Sequence, residues 1–303
     1  MIDNTVVLQR TIARPASVSG IGLHTGVLST VTFRPAAPDS GVTFYRVDLP
    51  GAPAIEADMD HVVSTTLRTA LGRNGVIVNT VEHILAALAG LGIDNLNVDV
   101  DAPEVPGMDG SALPFVRALK RAGVAMQDRP RRLLATPRRI RYHREDVSLS
   151  IEPGDDLRIS MGIRFDHPSV GAQHASVVIR PETFEEELAP ARTFGFLCHM
   201  RKLRDQGVIK GVSLDNSIVI GDDGVLNDDL RFPDEFVRHK ILDLLGDIYL
   251  LGKPLTGHIT AARAGHASHI AFSRRLRESM DIAPTAVPAR APAYIARVSA
   301  MRV

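Results

Sequence analysis

The stretch Phe236-Val237-Arg238-His239-Lys240-Ile241-Leu242-Asp243-Leu244-Leu245-Gly246-Asp247 constrains this chain more than any other. Val237, Ile241, Leu244, Leu245 and Ile248 recur at the spacing of a helix that buries one apolar stripe. His239, Asp243 and Asp247 fall one turn apart on the other side of that helix. A histidine and a carboxylate four residues apart on one helix face can share a metal ion. The same spacing also describes a polar stripe turned to water. The metal reading requires a third ligand and a catalytic carboxylate from elsewhere in the chain, and the solvated stripe requires nothing.

A chain of 303 residues is long enough for two domains with separate cores. Lys and Arg total 35 and so do Asp and Glu, so bulk charge favours neither nucleic acid nor an anionic membrane. The single Cys198 cannot form an internal disulfide and fits a reducing compartment. Met1-Ile2-Asp3-Asn4-Thr5 carries no basic, apolar leader pattern. The longest apolar run, from Ile241 to Leu251, is interrupted by Asp243, Gly246 and Asp247 and is too short to span a bilayer. The expectation is a cytoplasmic protein without a transmembrane segment.

Short alternating or β-branched runs predict strands at Thr5 to Arg10, Val27 to Arg34 and Asn95 to Asp101. Gly20-Ile21-Gly22-Leu23-His24-Thr25-Gly26 reads as a hairpin connection, or as a backbone cradle for an anion. Asn74-Gly75 predicts a second hairpin. Thr80 reads as the N-cap of a helix over Val81 to Ala89, with Val81, Ile84, Leu85 and Leu88 facing the core. His83 then shares the opposite face with Ala86, Ala87 and Gly90, small residues suited to close approach by another protein surface. Asp99 and Asp101 read as a solvated strand face. A helix over Phe115 to Ala122 closes the first half.

Gln127 to Arg144 holds seven arginines and reads as a linker leading to a charged edge strand; phosphate or anionic headgroup contact is the alternative. Strands at Val147 to Ile151, Leu157 to Phe165 and Ala175 to Ile179 follow, then an acidic helix at Thr183 to Leu188. Arg192 to Ile220 looks like an insertion, with Cys198 as a packing residue. A helix from Asp234 to Leu251 stops at Gly252. A strand at His258 to Ala262, a turn at Gly265-His266 and a helix to Met280 come next. An Ala/Pro-rich tail becomes ordered only at Tyr294 to Val298. Domain two repeats the element order of domain one without a residue-level repeat.

Glu82-His83 can supply the missing base and ligand, and His24 and His266 sit in glycine turns. In sequence, Thr80-Val81-Glu82-His83 and Ala86-Ala87-Leu88-Ala89-Gly90-Leu91-Gly92-Ile93-Asp94-Asn95 resemble the UDP-3-O-acyl-N-acetylglucosamine deacetylases of lipid A biosynthesis. Gly22-Leu23-His24-Thr25-Gly26, Met108-Asp109-Gly110-Ser111-Ala112, Ala191-Arg192-Thr193-Phe194-Gly195-Phe196, Asp234-Glu235-Phe236-Val237-Arg238-His239-Lys240 and Gly265-His266-Ala267 extend the resemblance. It runs in order from about Gln9 to Phe272.

The resemblance implies an α+β fold of two similar domains, each a β-sheet packed on a helix pair, with the active site in the groove between them. Domain one would span 1–127 and domain two 128–303, with an acyl-chain passage in an insertion at about 195–226. It implies one zinc ion per chain, held by His83, His239 and Asp243. Glu82 would be the base that activates water, and Thr193 would donate to the oxyanion. His266, oriented by Asp247, would be the acid that protonates the leaving amine. Lys240, a quarter turn off the ligand stripe, would meet substrate phosphate or developing charge. His24, Phe165, Phe194 and Arg263 would contact the substrate, Phe165 by stacking on uracil and Arg263 near the diphosphate. The implied partner is UDP-3-O-acyl-N-acetylglucosamine, with the inner membrane surface as a peripheral contact, no nucleic acid, and a monomer as the expected state. Some relatives carry a cysteine near the metal; here that place falls about Ser64-Thr65-Thr66, where no thiol stands. Without Glu82, Thr193 and His266, the same motifs would describe only a binding protein for nucleotide-sugars or lipid headgroups. An H-E-x-x-H peptidase signature is absent.

Overall fold

A computed structural model describes residues 7–227 and 229–280. The expected order at Tyr294 to Val298 and the start of the first predicted strand lie outside the described residues. Two sheets dominate. In the first half, Ala16–Ile21, Leu28–Pro35, Leu96–Val100, Val42–Arg46 and Ala54–Glu56 lie side by side in that order. In the second half, Ile140–Arg144, Val147–Glu152, Leu255–Ala262, Leu157–Arg164 and Ala172–Val178 do the same. In both, the last strand of the unit enters the middle. It pairs antiparallel with the second strand and parallel with the third. The architecture is duplicated although the residues are not, because the burial pattern of each strand, rather than its identity, sets its place.

Six helices are needed for the description: α1 (Glu82–Leu91), α2 (Leu113–Ala122), α3 (Pro181–Thr183), α4 (Leu197–Asp205), α5 (Glu235–Tyr249) and α6 (His266–Ser279). Helix α3 runs directly into a wider π turn at Phe184–Leu188, where a single acidic α-helix is predicted. Helix α1 packs on α2, and α5 packs on α6. Each pair covers its own sheet, and α1 meets α5 across the seam. Among the described residues no helix is long and apolar enough to cross a membrane.

The contact between α1 and α5 rests on a missing side chain. A Cβ at Gly246 would lie 2.1 Å from the carbonyl oxygen of Glu82 and 3.1 Å from its Cα. Backbone at that distance cannot swing away, so only glycine lets α5 lie this close to the first turn of α1. The small face of α1 is closed in a similar way, with a Cβ at Gly90 falling 2.1 Å from the Phe184 ring. Ala86 and Ala87 are fully buried, as the close approach expected from sequence requires.

Two local expectations are corrected. Thr80 does not cap α1: it has a left-handed backbone, φ 63°, and its hydroxyl donates to Glu104 Oε1 at 2.7 Å. The helix starts at Glu82 with no side-chain cap. Gln127 does not begin a linker, because Val124–Pro130 pairs antiparallel with Leu8–Ile12 and the expected 127/128 boundary falls inside that strand. The hairpins behave as read. Ala16–Ile21 pairs with Leu28–Pro35 around the His24 turn, and Asn74 and Gly75 take φ values of 50° and 81° between paired strands.

Gly246→Ala tests the seam. An alanine in a helix gains about 1 kcal/mol over glycine, but overpacking against fixed backbone costs about 1–3 kcal/mol. Denaturant unfolding of G246A is expected to show a net loss of stability. Stability equal to or above the parent would mean that the two helices have room to spare.

Candidate metal centre

The polar stripe of α5 is not solvated. His239 is 2% exposed, Asp243 3% and Asp247 0%, so the helix is buried on both faces. His83 and Glu82, each 3% exposed, approach from α1. One ligand atom from each of His83, His239 and Asp243 lies within 4.8 Å of the other two. Asp243 Oδ1 is 3.3 Å from His239 Nε2 and 3.8 Å from His83 Nε2, and the two imidazole rings stand at 87°. The His239 Nδ1–H donates to the carbonyl of Ala191 at 3.1 Å, which leaves the Nε2 lone pair facing the other donors.

Ala191 is itself fixed. The next residue, Arg192, pairs its guanidinium with Glu235 at 2.8 Å, and Glu235, at the start of α5, is fully buried. The same carboxylate accepts from the backbone N–H of Arg192 and Arg231. The motif around Thr193 is thus tied to the ligand helix. Thr193 is further held by its N–H to Gly110 and by its carbonyl, which accepts from Ile218.

Burial and neighbours drive the ionisable groups apart. Burial, aided by the charges of Asp243 and Asp247, pushes Glu82 up to about 8. Burial and the neighbouring His239 push His83 down to about 3, so it is neutral and free to ligate. For Asp243, burial opposes ionisation, but His239, Lys240, His266 and His83 outweigh it and hold the carboxyl well below the usual range. Burial would also lower His266, yet Asp247, Asp243 and Glu82 raise it to about 9. His266 Nδ1 lies 2.7 Å from Asp247 Oδ2, while Nε2 looks into the centre, 4.0 Å from Glu82 Oε1 and 3.9 Å from Asp243 Oδ2.

The donor set fits a divalent cation. Two neutral imidazoles and one ionised carboxylate converge, without a cationic side chain among the three, and this is the ligand chemistry of catalytic zinc sites. A second donor group, Asp247, His266 and His269, is held together by hydrogen bonds of 2.7 and 2.8 Å to Asp247 Oδ2.

The remaining expected residues are distributed as follows. Lys240 reaches the ligand stripe despite its quarter-turn offset, its Nζ donating to Asp243 Oδ2, one turn further along the helix, at 2.8 Å. The Phe194 ring lies 6.4 Å from His239 and 5.8 Å from Phe165, extending an aromatic wall from the centre to Phe196. His24 is pushed down to about 4 by burial and then by Arg68, with His266 among the charges acting on it. Its Nδ1 is buried without a hydrogen-bond partner. Arg263 is paired with Asp146. Cys198 is exposed rather than packed, because α4 has no buried residue. Leu197, Leu203, Val208 and Val212 in the expected insertion are half-buried. Asp99 pairs with Arg34, and Asp101 accepts from the Thr30 N–H, so that strand face is partnered. In the basic run Arg129, Arg131 and Arg139 pair with Asp39, Asp94 and Glu152.

Sequence reasoning missed Thr69, Glu104 and His269. Glu104 is fully buried and accepts from the backbone N–H groups of His24 and Thr25 and from the hydroxyls of Thr25 and Thr80. It joins the His24 turn to the start of α1. A Cβ at Gly22 would sit 2.5 Å from its Oε2, which is why that turn needs glycine. Nothing in a Pro-rich loop marks such a residue. His269 had a signal, three residues after His266 on one helix face.

Two buried histidines and an aspartate that could hold a metal ion, beside a carboxyl and an imidazole, are the donor set of a hydrolytic site. The family model described as UDP-3-O-acyl N-acetylglycosamine deacetylase matches residues 9–278. The chain is 47% identical over 269 residues to the UDP-3-O-acyl-N-acetylglucosamine deacetylase of Myxococcus xanthus (strain DK1622), covering 88% of this chain and 86% of that protein. It is 48% identical over 262 residues to the same-named protein of Syntrophotalea carbinolica, covering 86% and 85%. For that of Oleidesulfovibrio alaskensis the identity is 45% over 275 residues, covering 90% of each. The chain belongs to the UDP-3-O-acyl-N-acetylglucosamine deacetylase family.

In chelator-treated protein, histidine NMR is expected to show the His266 ring titrating near pH 9, above the ordinary 6.5. Asp247→Asn removes the main stabiliser of the cation and leaves burial in force against Asp243 and Glu82 alone, so the ring should titrate at a clearly lower pH than in the parent. An unchanged titration in D247N would rule out Asp247 as the cause.

Proposed function

We propose that this chain hydrolyses the N-acetyl group of UDP-3-O-acyl-N-acetylglucosamine with a zinc ion held by His83, His239 and Asp243. Water adds to the acetamide carbonyl and the C–N bond breaks, giving acetate and the free sugar amine, the committed step of lipid A biosynthesis. The observation that carries the reading is the convergence of Glu82 and His83 from α1 with His239 and Asp243 from α5. In this reading the half that ends with the strand Val124–Pro130 and the half that follows it are two domains that complete one centre between them.

Zinc, when bound, supplies a Lewis acid for the carbonyl and for water, and its charge favours the ionised form of the buried Glu82 carboxyl. Glu82 takes the proton of the attacking water. The Thr193 hydroxyl donates to the oxyanion as it develops. His266 enters the reaction as imidazolium. With Nδ1 engaged by Asp247, the proton on Nε2 is the one that faces the centre and passes to the departing amine. Lys240 holds the second oxygen of Asp243, leaving the first toward the two ligand imidazoles. Phe194 and Phe165 give the substrate an apolar wall beside the ligands, and His24 lies where charge on His266 is felt. The half-buried Leu197, Leu203, Val208 and Val212 suit an acyl chain. With Cys198 exposed and unpaired, the proposed compartment is the cytoplasm.

Acetate release from the acylated UDP-sugar, together with metal analysis, tests the reading. Glu82→Gln is expected to retain metal and lose roughly 100- to 10,000-fold in kcat, the range for a general base. His83→Ala is expected to lose the metal. Stoichiometric metal in H83A, or full activity in E82Q, would contradict the assignment. Shortening the acyl chain should lower kcat/KM; indifference to chain length would remove the acyl passage from the proposal.

A further inference from the structure

Thr69 stands outside the expected catalytic set, one residue before the strand Ala70–Arg73, and is fully buried. Its backbone N–H donates to Glu82 Oε2 at 3.0 Å. Its hydroxyl donates to Asp247 Oδ1 at 2.5 Å, and the hydroxyl oxygen of Thr69 is 3.3 Å from His266 Nδ1. One residue of the first half-chain therefore touches both the carboxyl of the proposed base and the carboxylate behind the proposed acid.

The carboxylate of Asp247 is loaded unevenly. Its Oδ2 accepts from the Nδ1 atoms of both His266 and His269. Two imidazoles on one oxygen leave the group free to turn about its Cβ–Cγ bond unless the other oxygen is also tied. The Thr69 hydroxyl supplies that tie. A carboxylate anchored at both oxygens keeps its plane, and its plane fixes the direction of the His266 ring and of Nε2. The backbone N–H does the same for Glu82, at a separate atom.

Resting on the deacetylase reading above, we propose that Thr69 is a positioning residue that sets base and acid in one frame, its hydroxyl locking Asp247 and its peptide N–H holding Glu82. It touches none of the three ligand side chains through a hydrogen bond described for it, so its loss should leave metal binding intact. Its effect should fall on the chemical step and be transmitted through Asp247.

The test compares Thr69→Val, which keeps shape and backbone N–H but removes the hydroxyl, with Thr69→Ser, which restores it. T69V is expected to lower kcat roughly 10- to 100-fold, with KM and metal per chain unchanged. T69S should recover most of the loss. In an Asp247→Ala background, T69V should cost nothing further, since the hydroxyl then has no acceptor there to lock. Thr69→Ala provides the same comparison with less bulk should T69V fold poorly. Nitrogen-15 histidine spectra of the chelated protein give a readout independent of turnover. The hydrogen-bonded Nδ1–H signal of His266 should shift or broaden in T69V and return in T69S. Wild-type kcat in T69V, an equal loss in the Asp247→Ala background, or imidazole signals unmoved by T69V would overturn the proposal. A wild-type protein that releases no acetate would overturn the deacetylase reading instead, and the imidazole spectra would still decide the place of Thr69.

Discussion

Everything at the centre depends on how close α5 comes to the first turn of α1. At Gly246 the two backbones meet with no space for a methyl group. Asp243 and His239 lie one and two turns before that contact, and Glu82 is the contact itself. His83, the residue after Glu82, is thereby carried to 3.8 Å between its Nε2 and Asp243 Oδ1. The missing side chain therefore sets the distance between the candidate donors, and it is made by backbone, which yields less than any rotamer.

That proximity creates an electrostatic problem which the surrounding residues solve. Glu82, Asp243, Asp247, Lys240 and His266 are all brought out of water within one small volume, where isolated charges are expensive. The solution is pairing in sequence: Lys240 on Asp243, and His266, His269 and Thr69 on Asp247. Glu82 remains the group without a cation in direct contact, and it is the one carboxyl of the three pushed upward. A site arranged in this way is preloaded for a divalent charge, because the group that ionises most reluctantly is the one that benefits from its arrival.

Much of this was legible in the chain. The apolar stripe of α5 and the spacing of His239, Asp243 and Asp247 follow from helical periodicity, and Glu82-His83 supplies what that stripe lacks. Hairpins at His24 and at Asn74-Gly75 follow from turn chemistry. What periodicity cannot report is whether a polar face meets water or protein, so the burial of His239, Asp243 and Asp247 was open until α1 was in place. Thr80 shows the limit differently. A threonine before a helix is a sound N-cap signal, yet a buried carboxylate from Glu104 takes its hydroxyl and a left-handed backbone follows. Lys240 was assigned by its helical angle, and a long flexible stem can overrule an angle. Thr69 and Glu104 act through partners far along the chain, and local pattern holds no record of such pairings.

The duplicated sheets differ in how much chain each must enclose. In the first, the parallel central pair joins Val42–Arg46 to Leu96–Val100; in the second, it joins Leu157–Arg164 to Leu255–Ala262. The second excursion is longer, and it contains α4 and α5, with His239 and Asp243 on the latter. Loop closure costs entropy that grows with length, and non-local pairing is slow to form. The groups on α1 and those on α5 are thus enclosed by separate excursions, each closed by its own last strand. Loop closure therefore costs more entropy on the side that carries His239 and Asp243 than on the side that carries Glu82 and His83.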